Sequence, residues 1–150
     1  MFCSLKGVSA DQVSCEKIEI YRWVFGNFKT CYMDKTTQIN SADTTIASRD
    51  ESIEGLKLFH NKKIKFLPIE VSKKVPNLLG IEAYSCSLTT ISKANFRGLS
   101  KLRELYLGGN QIEKIRSDVF DDLVALERLS LGKFKLKSFL ISSTFGKYFI

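Results

Sequence analysis

The sequence has one histidine and no phosphate-binding loop, and both absences argue against an enzyme. The histidine, His60, has no cysteine or aspartate at the spacing of a metal site. Gly108-Gly109-Asn110 lacks the glycine spacing of a nucleotide-binding loop. The neighbouring Asp121 and Asp122 fit a solvated surface better than an acid–base pair. We therefore expect no catalytic residue, no metal and no cofactor.

A long apolar run is also missing. No segment approaches the roughly 20 apolar residues that a membrane-spanning helix needs. Residues 1–10 are too short for a complete secretory signal, yet Val8-Ser9-Ala10 has the small-x-small form of a cleavage site. Two interpretations of residues 1–10 stay open: the remnant of a signal peptide, or an ordinary chain end.

Cysteines are too few for a disulfide-rich scaffold, since there are four in 150 residues. Cys3 lies in the doubtful leader, and Cys86 lies in the repeats described below, where we expect it to be buried and unreactive. Cys15 and Cys31 are the natural pair if the chain meets an oxidising compartment. They flank strand-favouring residues with a turn signal at Gly26-Asn27. This predicts a disulfide-stapled β-hairpin that can cover an open strand edge.

What the sequence does contain is a repeated spacing of apolar residues. An 11-residue unit that starts at Leu102 has apolar residues at its first, fourth, sixth and eleventh places and Asn110 at its ninth. The pattern returns 24 residues earlier, from Leu78, and 24 residues later, from Leu126. A looser unit starts at Ile53, 25 residues before Leu78. Such a period predicts stacked units that present a surface rather than a pocket.

Strand alternation assigns a role to each place of the unit. The fourth and sixth places face inward together, and the fifth faces outward. The ninth place turns the chain away from the strand, and an amide there can bond both a backbone N–H and a C=O. Phe134, at the ninth place of the fourth unit, cannot do this, so we expect the last turn to be the least ordered. The other ninth places predict a ladder of buried side chains, in which cysteine is a small substitute: Asn61, Cys86 and Asn110.

The 11-residue unit resembles the leucine-rich repeat, and its period with a recurring Phe-x-x-Leu-x-x-Leu resembles the extracellular "typical" subclass. The resemblance covers about residues 53–140, and residues 15–33 resemble the N-terminal cap of secreted arthropod leucine-rich repeat proteins. It implies an α/β horseshoe-type solenoid with parallel strands on the concave face and irregular or short helical convex segments. The expected domains are a leader at 1–10, a cap at 11–52 and about four repeats at 53–150.

The resemblance also implies non-catalytic protein–protein recognition on the concave face of a secreted protein or a receptor ectodomain. Aromatic residues with arginine nearby are the usual energetic centres of interfaces. The alternative is that the aromatic residues of these strands serve cross-strand packing alone. Our hypothesis is a contact patch of outward-facing residues: Lys57, Phe59, Glu82, Tyr84, Tyr106 and Arg128.

The charge distribution supplies a competing hypothesis. Residues 1–52 hold six basic and seven acidic residues, whereas residues 53–150 hold seventeen and nine. A basic flank can bind a sulfated glycan, a membrane surface or nucleic acid, although a solvated face is the simpler explanation. Acidic residues on the concave face, and the lack of aromatic residues between the lysines, make nucleic acid the weakest of these. The flank consists of Lys62, Lys63, Lys65, Lys73, Lys74, Lys135 and Lys137.

No capping sequence follows the fourth unit, although a repeat stack needs a polar cap at each end. We therefore expect the chain to be part of a larger secreted or receptor protein. The alternative is self-association through this end, by way of the apolar residues Leu136, Phe139, Leu140, Phe145 and Phe149.

Overall fold

The computed structural model describes residues 12–33, 35–47, 49–58, 60–132 and 138–139. Within these ranges the chain forms ten short strands and two one-turn helices, and neither helix is long or apolar enough to span a bilayer. The elements in chain order are β1 Gln12–Val13, β2 Lys17–Trp23, β3 Gly26–Tyr32, β4 Thr45–Ile46, β5 Gly55–Lys57, α1 Val71–Lys74, β6 Gly80–Glu82, α2 Lys93–Phe96, β7 Glu104–Tyr106, β8 Lys114–Ile115, β9 Arg128–Ser130 and β10 Ser138–Phe139.

Six of these strands form one sheet in the order β2-β3-β5-β6-β7-β9. β2 and β3 are antiparallel, and all the other pairs are parallel. The fourth-place residues Leu56, Ile81, Leu105 and Leu129 are partners in one continuous register, as the repeat spacing predicts. The predicted repeat solenoid, with one parallel strand for each unit and little helix, is therefore confirmed.

The core lies between this sheet and the segments that return from one strand to the next. Leu102, Leu105 and Leu107, at the first, fourth and sixth places of their unit, are completely buried. On the return path, the rings of Phe96 and Phe120 from successive turns lie 5.5 Å apart between centroids. Burial of apolar surface stabilises a fold by about 25 cal/mol per Å². Each unit obtains that burial from its neighbours, so the units are stable only as a stack.

The ninth-place side chains bind the backbone of an earlier turn. Asn61 donates from its amide nitrogen to a backbone carbonyl 24 residues earlier, at 2.9 Å. Asn110 donates in the same way to the carbonyl of Ala83 at 2.7 Å. The Cys86 thiol donates to the carbonyl of Leu58 at 2.8 Å, and burial raises the pKa of this thiol to about 11. The thiol therefore stays protonated at neutral pH and keeps its role as a donor.

The eighth place has a backbone conformation that the repeat pattern did not indicate. His60, Ser85 and Gly109 hold this place in successive units, with φ angles of 55°, 53° and 71°. Glycine adopts the left-handed region freely, whereas other residues lose roughly 1–2 kcal/mol there. Two of the three turns thus accept a strained residue at a position that suits glycine.

The predicted hairpin and its disulfide, Cys15 to Cys31, are confirmed. β3 pairs with β5, so the hairpin continues the sheet past the first repeat strand. The turn, however, lies at Val24-Phe25, and the predicted turn residues Gly26-Asn27 begin β3. The register pairs Trp23 with Gly26, and both backbone N–H groups of Val24-Phe25 bind the carboxylate of Glu104 in the third unit.

Some predictions concern residues outside the described ranges and stay predictions. They are the leader at 1–10 with Cys3, the contact residue Phe59, the broken ladder position Phe134, and the apolar C-terminal residues Leu136, Leu140, Phe145 and Phe149. Phe139 is described only through the backbone of β10, which pairs with β8.

Candidate functional site

The hairpin bends over the concave face of the sheet and buries its tryptophan there. Trp23 is 5% exposed and lies on Gly55 and Gly80, the third-place residues of the first two units. A Cβ atom would lie 3.0 Å from the indole nitrogen at Gly55 and 2.8 Å from ring carbons at Gly80. The indole N–H donates to the Thr30 hydroxyl at 3.0 Å, and the ring packs 6.2 Å from that of Tyr106. Glycine at both third places leaves the space that this ring fills.

Glu104 holds the turn of the hairpin against the sheet. Its fully buried carboxylate accepts from the backbone N–H of Phe25 at 2.8 Å and from that of Val24 at 3.3 Å. The Tyr106 hydroxyl donates to the same carboxylate at 2.6 Å, and burial with this hydrogen bond raises the pKa of Tyr106. The guanidinium of Arg103 lies 4.4 Å from the Phe25 ring centroid. Two neighbouring residues of the third unit therefore hold the turn: Glu104 binds its backbone, and Arg103 lies over the Phe25 ring.

Lys57 faces the concave side, as strand alternation predicts, but the hairpin covers it. Its side chain is 6% exposed, and its ammonium lies 2.8 Å from a carboxylate oxygen of Glu82 and 3.6 Å from the Tyr21 ring centroid. A cation in this position is stabilised by both the carboxylate and the ring face. Lys57 therefore supports the hairpin from below instead of presenting a charge to solvent, which corrects the expectation of an open contact residue.

Tyr32 sits beside this pair at the base of the hairpin. Burial, and a hydrogen bond with Glu19, raise the pKa of Tyr32 to about 12. Glu19 also forms an ion pair with Lys17 on the outer strand of the hairpin. The hydroxyl is thus held in its neutral form well above physiological pH.

A cleft remains between the hairpin and strands β6 and β7. We call it the hairpin cleft, and its volume is about 200 Å³. The Tyr84 ring lies over Gly108, where a Cβ would come within 2.9 Å of it, and it meets the His60 ring edge-on at 5.8 Å. The cleft is open to solvent, and four of its eight lining residues are aromatic. The residues that line it are Tyr21, Arg22, Trp23, Val24, Glu82, Tyr84, Glu104 and Tyr106.

The structure brings three of the six predicted contact residues together. Glu82, Tyr84 and Tyr106 line the hairpin cleft. Arg128 holds the third place of the fourth unit, on β9, where it pairs with Glu104. Its Nε atom is buried and has no hydrogen-bond partner among the described residues. Lys57 is buried under the hairpin, and Phe59 lies outside the described residues. That these residues contact a partner stays a prediction.

Sequence reasoning missed the hairpin residues of this site and the role of Glu104. The available signal was glycine at the third place of two successive units, Gly55 and Gly80. Glycine is unfavourable within a strand unless another group approaches the backbone closely. In the same sequence, Trp23 is the only tryptophan and so the largest side chain.

Other candidate sites gain nothing from the structure. Within the described ranges, no group of three His, Cys, Asp or Glu residues could hold a metal ion. Lys93 bridges to Asp121 and Asp122 at 3.5 and 3.7 Å, which suits a surface ion pair. In the basic flank, Lys62 and Lys74 donate to backbone carbonyls and Lys73 pairs with a glutamate, while two members lie outside the described residues: Lys135 and Lys137.

Comparisons with known proteins agree with the fold. The family model described as "Leucine rich repeat" matches residues 51–112 and 84–136, which together cover more than half of the chain. The chain is also similar to reticulon-4 receptor-like 2 of Rattus norvegicus, with 33% identity over 113 residues. The match covers 73% of this chain and 26% of the rat protein, so the chain spans about a quarter of that relative's length.

Proposed function

The chain belongs to the leucine-rich repeat family, and we propose that it recognises a protein partner at the hairpin cleft and the concave surface beside it. The observation that carries this proposal is the partly exposed pair Tyr84 and Tyr106 in a cleft built jointly by hairpin and sheet. Clustered aromatic side chains with an arginine nearby are typical hot spots of protein interfaces. Arg128 is that neighbour, one strand beyond Tyr106.

The proposed surface differs from an open concave face because the hairpin is part of it. Tyr21 and Val24, which are 38% and 57% exposed, stand beside the cleft and add apolar contact area. Lys57 acts as a support for Tyr21, while Glu82 and Arg128 supply charges of both signs. A surface of this composition suits a folded or extended protein partner better than a polyanion, which would select a single sign.

We place this recognition outside the cell. The Cys15–Cys31 disulfide favours an oxidising compartment, and the rat relative is named as receptor-like. We further propose that residues 11–52 act as the cap of the repeats at 53–150, within a larger secreted or receptor protein. The likeness of the cap to arthropod proteins stays a prediction, since the relative reported above is mammalian.

The test is a binding screen of the chain, presented as a multimer, against a library of extracellular proteins. Each binder is then titrated against the double variant Tyr84→Ala/Tyr106→Ala and against Tyr84→Ala alone. We expect a loss of affinity of at least about tenfold, because a hot-spot side chain contributes roughly 2 kcal/mol or more.

The matched control is Val124→Ala, an 81% exposed residue on the return path, which should leave binding unchanged. Circular dichroism checks that each variant is folded. Binders that bind the folded double variant as tightly as the parent would contradict the proposal.

A further inference from the structure

We propose that the hairpin cleft takes one cationic side chain, an arginine or a lysine, of the protein partner. This inference rests on the proposed function and names the chemistry of its central contact. It is carried by a pattern of cations and rings at the hairpin, and by one carboxylate oxygen that has no hydrogen-bond partner among the described residues.

The hairpin already binds two cations of the chain in the same way. The Lys57 ammonium lies 3.6 Å from the Tyr21 ring centroid and 2.8 Å from a carboxylate oxygen of Glu82. The Arg103 guanidinium lies 4.4 Å from the Phe25 ring centroid and 2.5 Å from a carboxylate oxygen of Glu127. In each case an aromatic face and a carboxylate enclose a positive charge, which is the arrangement that stabilises cations over rings.

The hairpin cleft also combines aromatic rings with a carboxylate. Among its lining residues Arg22 is the one basic residue, and the Lys57 ammonium lies 6.0 Å from the centroid of the Trp23 ring. The walls of the cleft include the rings of Trp23, Tyr84 and Tyr106, and Glu82 lies at its edge. Within the described part of the chain, no lysine or arginine lies over the Tyr106 ring. Glu82 uses one carboxylate oxygen for Lys57, and the other has no hydrogen-bond partner among the described residues. That oxygen can accept from an incoming cation.

The remaining charges around the cleft do not fill this role. Glu104 also lines it, but its carboxylate already accepts three hydrogen bonds and contributes negative charge without a free oxygen. Arg22 lies at the rim, where strand alternation puts its side chain on the opposite face of β2 from Tyr21 and Trp23. Arg128 belongs to the next strand beyond the lining residues.

The size of the cleft fits one side chain. Its volume of about 200 Å³ is smaller than the roughly 300–1,000 Å³ of small-molecule pockets. A guanidinium is planar and can stack on Tyr84 or Tyr106 while it donates to Glu82, which gives arginine the better geometry of the two. The rest of the partner would then lie along Tyr21 and Val24 at the rim.

The experiment uses three peptides as probes: Ac-Gly-Arg-Gly-NH2 and its analogues with citrulline or norleucine in place of arginine. Trp23 is the only tryptophan of the chain, so its fluorescence and its indole N–H resonance report on the cleft directly. We expect a saturable change with the arginine peptide and at least about tenfold weaker binding of the two neutral peptides, because they lack the charge-assisted hydrogen bond.

Two variants place the effect in the cleft. Glu82→Gln should weaken the arginine peptide about tenfold, and Tyr84→Leu should do so without touching the Lys57–Glu82 pair. Glu51→Gln, which changes an exposed carboxylate paired with Arg49, is the control and should bind normally. Circular dichroism and the Trp23 emission maximum confirm that each variant keeps its fold.

The outcomes separate this inference from the function on which it rests. Equal binding of the three peptides, or no saturable response to any of them, would overturn the cation site. If screened protein binders depend on Tyr84 and Tyr106 but not on one of their own basic residues, recognition at the cleft stands and the cation chemistry fails. If the peptide result holds and no protein binder depends on the cleft, the cation site stands and the proposed function fails.

Discussion

The third places of the four repeat strands divide the concave face into two halves. In the first two units this place is glycine, at Gly55 and Gly80, and Trp23 lies on both. In the next two it is charged, with Glu104 bound to the turn of the hairpin and Arg128 left with a buried Nε that has no partner among the described residues. Equivalent third places thus contact the chain's own hairpin in the first three units, whereas the fourth unit has a partly exposed arginine, Arg128.

This difference shows that the repeat determines the core and leaves the surface to individual positions. The buried fourth places are uniformly aliphatic in all four strands, whereas the third places vary in size and charge from one unit to the next. A partner that approaches the first three units meets the hairpin before it meets the sheet. The proposed recognition therefore depends on whether the hairpin stays docked, and the following changes test each half of the comparison.

Gly80→Val is expected to have the largest effect. Its Cβ would come within 2.8 Å of the Trp23 ring, so the hairpin must lift or the strand must shift. Overpacking of a core costs about 1–3 kcal/mol, and loss of a buried aromatic contact about 3–5 kcal/mol, so a loss of at least 2 kcal/mol of unfolding free energy is expected. Urea denaturation measures the loss, and a red shift of Trp23 emission reports exposure of the indole.

Gly132→Ala is the matched control for this change. Gly132 lies just beyond β9 in the exposed half, and no described atom lies within 4 Å of the position that a Cβ atom would take there. Its substitution should change stability by less than about 0.5 kcal/mol, as surface substitutions usually do. If Gly80→Val is equally mild, Trp23 is not held on the third-place glycines and the comparison between the halves fails.

Glu104→Gln tests the residue at the boundary between the halves. The amide keeps the size of the side chain but loses the charge and one of the acceptor oxygens that bind Val24, Phe25 and Tyr106. Hydrogen bonds to a charged group are worth about 1.5–3 kcal/mol, so a loss in that range is expected, together with faster amide exchange at Phe25. The control is Glu127→Gln, which breaks a partly exposed pair with Arg103 and should cost at most about 1 kcal/mol.

Alkaline pH should destabilise the protein through Tyr32 at the base of the hairpin. The pKa of Tyr32 is raised to about 12, mainly by burial, so the folded state binds this proton more tightly than the unfolded state. Stability from this group is complete below the ordinary tyrosine pKa of about 10 and is lost as pH rises towards 12. Urea midpoints from pH 9 to 11.5 should fall more steeply for the parent than for Tyr32→Phe. If the two proteins lose urea midpoint equally with pH, ionisation of Tyr32 does not destabilise the folded state.

The fold was predictable because its signal is periodic. The spacing from Leu78 to Leu102 sets the register of β6 and β7, and the flanking cysteines indicated the hairpin and its disulfide. The docking of the hairpin was not predictable in the same way, because it depends on single residues far apart in sequence. Nothing in the sequence around Glu104 indicates that it accepts hydrogen bonds from the backbone N–H groups of Val24 and Phe25, 80 and 79 residues earlier. The register that pairs Trp23 with Gly26 puts the turn at Val24-Phe25, where Glu104 binds it, so the local Gly26-Asn27 signal was wrong about the turn position.

The smallest expected effect is a gain in stability, from Ser85→Gly. Ser85 has a φ of 53° at the same eighth place where the next unit has Gly109 at 71°. A non-glycine residue loses roughly 1–2 kcal/mol in this region, while glycine adds entropy to the unfolded chain, so a net gain of about 0.5–1 kcal/mol is expected. Ser87→Gly, two residues later and outside the positive-φ residues, should destabilise instead. If Ser85→Gly also destabilises, interactions of the Ser85 side chain must outweigh the cost of its positive φ angle. The eighth places of the two halves would then be held by different interactions despite their common backbone conformation.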